Sequence, residues 1–154
     1  MARKETNMSA KATILLAEDE PNDAFFVKWA FEKAGFGHQI SHVYDGQEAL
    51  DYLSGEAPYA DRAQFPIPDL LLLDLKMPKL NGFDVLKWLR GHPKLKQVPV
   101  VVFTSSDHEG DMEEAKSLGA RDYWTKPNDI EKFVQLARDL HARWLQGQIQ
   151  AAAA

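Results

Sequence analysis

Four consecutive leucines, Leu70–Leu73, stand between Asp69 and Asp74, and Leu75-Lys76-Met77-Pro78 follows at once. A short, bounded apolar run without alternation is buried on both faces, the pattern of an interior strand in a parallel sheet. Pro78 ends the ladder because proline has no N–H to give it. Such a strand requires crossover connections, and helices must then cover both faces of the sheet. The run also sets Asp74 at the carboxyl end of a buried strand, where open α/β sheets take their ligands.

The rest of the chain alternates in the same way. Thr13–Ala17 predicts a first strand that closes in the turn Glu18-Asp19-Glu20-Pro21. Ala24 to Ala34 predicts a helix with Phe25, Phe26, Trp29, Ala30 and Lys33 in an amphipathic period and Gly35 as its stop. Gln39 to Val43 predicts the second strand. Asp45-Gly46 is a turn pair, and Ala49, Leu50 and Leu53 form the stripe of the next helix. Gly55 to Pro68, with glycine and prolines among mixed polar residues, predicts a surface loop. The third helix covers Gly82 to Arg90, with Val85, Leu86 and Leu89 toward the sheet. Val98 to Phe103 predicts strand four, Asp107 to Leu118 a polar helix ending at Gly119, and Asp122 to Thr125 strand five. Ile130 to Leu145 predicts a long last helix with Phe133, Leu136, Ala137, Leu140 and Trp144 on one face. Five βα repeats with right-handed crossovers imply an α/β fold with a parallel sheet and helices on both sides.

With 154 residues, 45% of them hydrophobic, one unstapled core is expected. The chain has no cysteine, which excludes disulfides, thiolate metal sites and cysteine nucleophiles and fits a reducing compartment. No apolar stretch reaches membrane-spanning length, and Met-Ala-Arg-Lys-Glu-Thr-Asn lacks the core of a signal peptide, so a cytoplasmic protein is expected. The net charge of -5, without a basic stripe, argues against nucleic acid as a partner.

The strand ends carry the chemistry. Glu18 and Asp19 follow strand one, Asp74 strand three, Thr104 and Ser105 strand four, and Lys126-Pro127 strand five. In a parallel sheet these ends meet on one rim. Carboxylates held together repel one another unless a cation neutralises them, and oxygen ligands alone suit a hard divalent ion such as Mg²⁺. A hydroxyl and an ammonium opposite that cluster are the parts that hold a transferring phosphoryl group. Asp74 is expected to be the exposed carboxylate that acts as nucleophile.

In this ordered set, together with Gly82 and Gly119-Ala120, the chain resembles the receiver (response-regulator) domains of two-component signalling. The resemblance runs from about Thr13 to Leu145 and implies a flavodoxin-like, doubly wound, five-stranded parallel sheet of order 2-1-3-4-5. Residues 1–12 and 146–154 would then be tails, with residues 13–145 the receiver domain. Asp74 matches the phosphoacceptor, taking phosphate from a sensor histidine kinase. Asp19 matches the direct Mg²⁺ ligand, with Glu18 acting through water and the Lys76 backbone carbonyl completing the protein ligands. Thr104 matches the switch hydroxyl, Lys126 the phosphate-pairing lysine, and Tyr123 the aromatic that swings inward on activation. The Lys126–Pro127 bond is cis in the family. The loop Pro58 to Pro68 and the run Asp74 to Arg90 resemble small single-domain regulators paired with bacterial phytochromes. A stand-alone switch is implied, not a turnover enzyme, with output through the face of the fourth helix, fifth strand and final helix. The apolar final helix, with Trp144 near its end, supports a two-fold homodimer.

Other readings compete with this one. Glu18 and Asp19 alone would read as helix-capping acids, and Ser105, Ser106 or Asp107 would cap the fourth helix. Trp29, Trp88 and Trp144 read as core or interface, and the histidines show no metal-ligand spacing. A phosphatase of the haloacid-dehalogenase type also uses an aspartate after a strand. It needs a second acid two residues on, where this chain has Lys76. A scaffold that has lost the chemistry would not be expected to keep every acid, hydroxyl and lysine of the set.

Overall fold

Side chains along each short apolar run alternate between two separate cores, and the helices are placed to cover both. The computed structural model describes residues 11–146. Its first half contains β1 (Thr13–Ala17), α1 (Pro21–Lys33), β2 (Gln39–Val43), α2 (Gly46–Ser54) and β3 (Leu70–Leu73). The second half contains α3 (Gly82–Arg90), a 3-10 turn (Pro93–Leu95), β4 (Val100–Thr104), α4 (Glu109–Ser117), β5 (Asp122–Thr125) and α5 (Ile130–Leu140). A π-helical turn (His141–Leu145) continues α5. All pairings are parallel, and the strand order is β2-β1-β3-β4-β5, the flavodoxin-like arrangement expected. The tails lie largely at residues 1–10 and 147–154, outside the described residues. Among the described residues no helix is long and apolar enough to cross a membrane.

The period of two along a strand explains the layers. Leu15, Leu71, Leu73, Val100 and Val102 point to the core covered by α2, α3 and α4. Ile14, Leu16, Leu70, Leu72, Val101 and Phe103 point to the core covered by α1 and α5. The leucine run therefore serves both cores at once, and all four of its residues are fully buried.

Local signals fix most helix ends. Pro21 opens α1 at a position where its missing N–H is not needed. Asp45 caps α2 by accepting from Glu48 N, and Asn81 and Asp84 cap α3 reciprocally. Asp129 caps α5 by accepting from Glu131 N. The start of α4 departs from expectation: His108 occupies the N-cap with no side-chain cap, and the Ser106 hydroxyl is engaged elsewhere.

Two further expectations are corrected, and a third gains detail. The buried stripe of α1 is Ala24, Val27, Ala30 and Phe31, while Phe25 is 61% exposed. Apolar residues occur all round this helix, so periodicity alone could not choose the face. In the last helix the π turn widens the spacing, so Leu140 and Leu145, five apart, are both buried, and Trp144 is only partly covered. The connection between α2 and β3 is the surface loop expected, without helix or strand, and it is anchored to the body. Tyr59 and Phe65 pack on Tyr52, whose hydroxyl donates to the Pro66 carbonyl at 3.0 Å. The Arg62 guanidinium donates to the carbonyls of Tyr52, Leu53 and Phe65, which satisfies the open end of α2.

Two glycines set the rim of the sheet. A Cβ on Gly82 would lie 2.5 Å from the Asp74 carbonyl oxygen, and one on Gly46 would lie 2.0 Å from the Leu80 carbonyl oxygen. The β3–α3 connection thus presses against two helix starts, and Gly82 N–H donates to the Leu75 carbonyl at 3.0 Å.

Candidate functional site

The β1, β3, β4 and β5 ends bring Glu18, Asp74, Thr104 and Lys126 to one rim, and the centre of that rim is the Lys126 ammonium. Lys126 Nζ lies 2.9 Å from Glu18 Oε1, 2.9 Å from Asp23 Oδ2 and 2.9 Å from Asp74 Oδ2. The bonds to Asp23 and Asp74 have hydrogen-bond geometry. Glu18 Oε1 is buried without a hydrogen bond, so its contact with Lys126 is an ion pair by distance alone. The other Glu18 oxygen accepts from Glu20 N–H at 3.0 Å. Asp74 Oδ1 accepts from Lys76 N–H at 3.2 Å, and the Lys126 N–H joins the Thr104 carbonyl at 2.7 Å.

Burial is distributed differently from the expectation. Asp74 is 4% exposed and Glu18 fully buried, whereas Asp19 stands in solvent. The expected exposed nucleophile is therefore a covered one, because the lysine lies over its Oδ2. Asp19, Lys76 and Asp111 share with Leu75, Met77, Asn81 and Phe83 a cleft of about 580 Å³ beside it.

Charge follows from this packing. Burial, and next the charge of Asp74, push Glu18 up to about 8, against the opposing pull of Lys126. Burial works to lower the Lys126 pKa, but the hydrogen bonds to Asp23 and Asp74 and the ion pair with Glu18 outweigh it and hold the ammonium above the ordinary lysine range. One ammonium among three carboxylates leaves the cluster negative. Glu18, Asp19 and Asp74 each offer an oxygen, all within 4.8 Å of one another. That donor set and the unbonded Oε1 fit a hard divalent cation.

On the β4 side, Thr104 is fully buried, and its Oγ1 faces the Ser106 N–H at 3.5 Å. Tyr123 is already inside: it is 9% exposed, and its hydroxyl donates to the Ser106 carbonyl at 2.9 Å. Burial raises its pKa. The Lys126–Pro127 bond is trans, contrary to the expected cis form, and the cis X–Pro bond of the described residues is Ala57–Pro58. Trans is the ordinary state of such a bond, and Lys126 reaches the acids with it.

The structure thus gathers Glu18, Asp19, Asp74, Lys76, Thr104, Tyr123 and Lys126 at one rim. Sequence reading missed Asp23. Its signal was an acid in the first turn of a helix that directly follows an acidic turn, which points it at the same rim.

A family model described as response regulator receiver domain matches residues 14–138. Response regulator Rcp1 of Synechocystis sp. is 32% identical over 133 residues, covering 86% of this chain and 88% of Rcp1. The solved Mn(2+)-bound form of Rcp1 superposes with a TM-score of 0.77 at 31% identity, over 87% of this chain and 94% of that one. The phosphorylated cyanobacterial phytochrome response regulator RcpA gives 0.80 at 34% identity, over 88% and 94%. A response regulator in red light signaling of R. palustris gives 0.82 at 34% identity, over 87% and 94%. The resemblance to small phytochrome-associated regulators is therefore borne out as similarity. With the family match spanning most of its length, the chain belongs to the response regulator receiver domain family.

Proposed function

We propose that this protein is a phosphorylation switch that takes a phosphoryl group from a sensor histidine kinase onto Asp74. The observation that carries the reading is the cluster of Glu18, Asp23 and Asp74 about the Lys126 ammonium, with Asp19 at the mouth. An Asp74 carboxylate oxygen forms a bond to phosphorus while the phosphorus–nitrogen bond to the kinase imidazole breaks, and the imidazole leaves with the electron pair and is protonated. Lys126 must release Asp74 Oδ2 for this, and its ammonium turns to the phosphoryl oxygens. Thr104 donates its hydroxyl to the same group.

Asp19 would hold Mg²⁺ directly, Glu18 through water, and Asp74 and the Lys76 carbonyl would complete the protein ligands. The ion supplies charge neutralisation for an anionic transfer. Output runs through the α4–β5–α5 face, where Tyr123 is held inside. Similarity to RcpA, a phytochrome response regulator, supports a phytochrome as the kinase. The apolar last helix, with Trp144 near its end, supports a two-fold dimer.

Incubation with acetyl phosphate and Mg²⁺, followed by intact mass, tests the reading. The expected result is one Mg²⁺-dependent phosphoryl adduct that Asp74→Asn lacks while keeping its fold. Normal labelling of that variant would move the acceptor elsewhere. No adduct, under conditions that label another receiver, would leave a scaffold.

A further inference from the structure

Ser106 is the point where the rim, Tyr123 and α4 meet. It is 4% exposed, and each of its polar groups has a partner. Its N–H faces Thr104 Oγ1 at 3.5 Å, and its carbonyl accepts from the Tyr123 hydroxyl at 2.9 Å. Its hydroxyl donates to Asp111 Oδ2 at 2.6 Å and accepts from the His108 N–H at 3.3 Å. The bond to Asp111 is the short one, as expected for a hydroxyl on a carboxylate. The bond to Thr104 is at the limit of a hydrogen bond.

Asp111 sits in the first turn of α4, a helix with one buried residue, Ala115, and no side-chain cap. Apolar packing therefore does little to fix where this helix begins. Favourable interaction with the helix dipole would account for an acid here, but Glu109 in the same turn already meets that need. Asp111 alone of the two makes the bond to Ser106. It also lines the cleft shared with Asp19 and Lys76.

We propose that Asp111 is the positioning residue of the switch: acting through Ser106, it holds the β4–α4 segment in the arrangement that keeps Tyr123 inside. The loss of its carboxylate leaves the Ser106 hydroxyl without its strong acceptor, and the segment can turn. The Ser106 carbonyl then leaves Tyr123, and a buried phenol without an acceptor turns toward water. The meaning of this joint for signalling rests on the proposed function above, but the joint itself is readable in the protein without metal or phosphoryl donor.

The test uses protein labelled with 3-fluorotyrosine, the ¹⁹F resonance of Tyr123 being assigned with Tyr123→Phe. Asp111→Asn keeps an acceptor oxygen for Ser106 and loses the charge, whereas Asp111→Ala loses both. The expected result is a wild-type resonance in Asp111→Asn and a shift toward free fluorotyrosine in Asp111→Ala and in Ser106→Ala. The double variant shifts no further than either single one, because the two residues form one joint. An unmoved resonance in Asp111→Ala would overturn the proposal, and so would equal shifts in the Asn and Ala variants, which would leave only a helix-charge effect. Should Asp111→Ala fail to fold, Ser106→Ala decides by the same resonance, since it removes one oxygen. Acetyl phosphate with Mg²⁺ added to the wild type reads separately: a Tyr123 resonance indifferent to it would count against the proposed phosphorylation switch and leave the joint intact.

Discussion

Helices α4 and α5 flank the same edge of the sheet and are held by opposite means. Helix α5 buries Phe133, Val134, Leu136, Ala137 and Leu140. At about 1.5–3 kcal/mol for each large side chain, its four larger residues contribute on the order of 6–12 kcal/mol. Helix α4 buries only Ala115, with Met112 and Leu118 partly covered. Its other attachments are polar: Ser106 to Asp111, and the Arg90 guanidinium to the Ser117 carbonyl at 3.2 Å. A helix fastened by apolar burial stays where the core puts it. A helix fastened by a few hydrogen bonds can be moved by a change in hydrogen bonding, which is the scale on which a phosphoryl group acts.

The sharpest way to break this contrast is to damage the fixed side. Phe133→Ala should destabilise the protein by about 3–5 kcal/mol in denaturant unfolding; a loss below about 1 kcal/mol would mean that α5 is not the anchor. Lys126 lies at the junction of β5 and α5, and Lys126→Ala strands three carboxylates around its position. A loss of about 3 kcal/mol is expected without divalent cations, partly recovered by millimolar Mg²⁺ in the same melt. Equal loss with and without the ion would place the cation elsewhere.

The end of α5 supplies a pH test. His38 Nδ1 accepts from Ala12 N–H at 3.0 Å, so its Nε2–H donates to His141 Nδ1 at 2.9 Å, and burial, then His141, push it down to about 4. The unfolded chain binds that proton more readily, so the stability is whole above about 6.5 and is lost as pH falls from 6.5 toward 4. The effect should be on the order of 1 kcal/mol after solvent screening, seen as a drop in Tm that His38→Gln does not share. The smallest effect is expected on the movable side: Met112→Ala should cost less than about 1 kcal/mol, since Met112 is only partly covered.

What could be read from residues alone follows the same division. β3 and Asp74 were legible because the leucine run is buried on both faces and proline ends it. The strand order and the rim followed from that parallel sheet and from the family resemblance. Asp23 escaped because a helix-opening acid has an ordinary explanation. The Ser106–Asp111 joint escaped because it links a loop to a polar helix that carries no periodic signal. The π turn at His141–Leu145 escaped because a change of helical pitch leaves no mark in composition. Apolar contacts announce themselves by period, whereas polar ones appear only when the chain is folded.

Gly82 gives the rim its mechanics. With no room for even a methyl group between the start of α3 and the Asp74 carbonyl, the Asp74 backbone is seated against a solid abutment. The Asp74 backbone has no room to recoil toward α3. A phosphoryl group on Asp74, as proposed, would be met across the cleft by Thr104 and the lightly held segment behind it. The rim is built like a vice, with one jaw fixed by close packing and the other, α4, held by a few polar contacts.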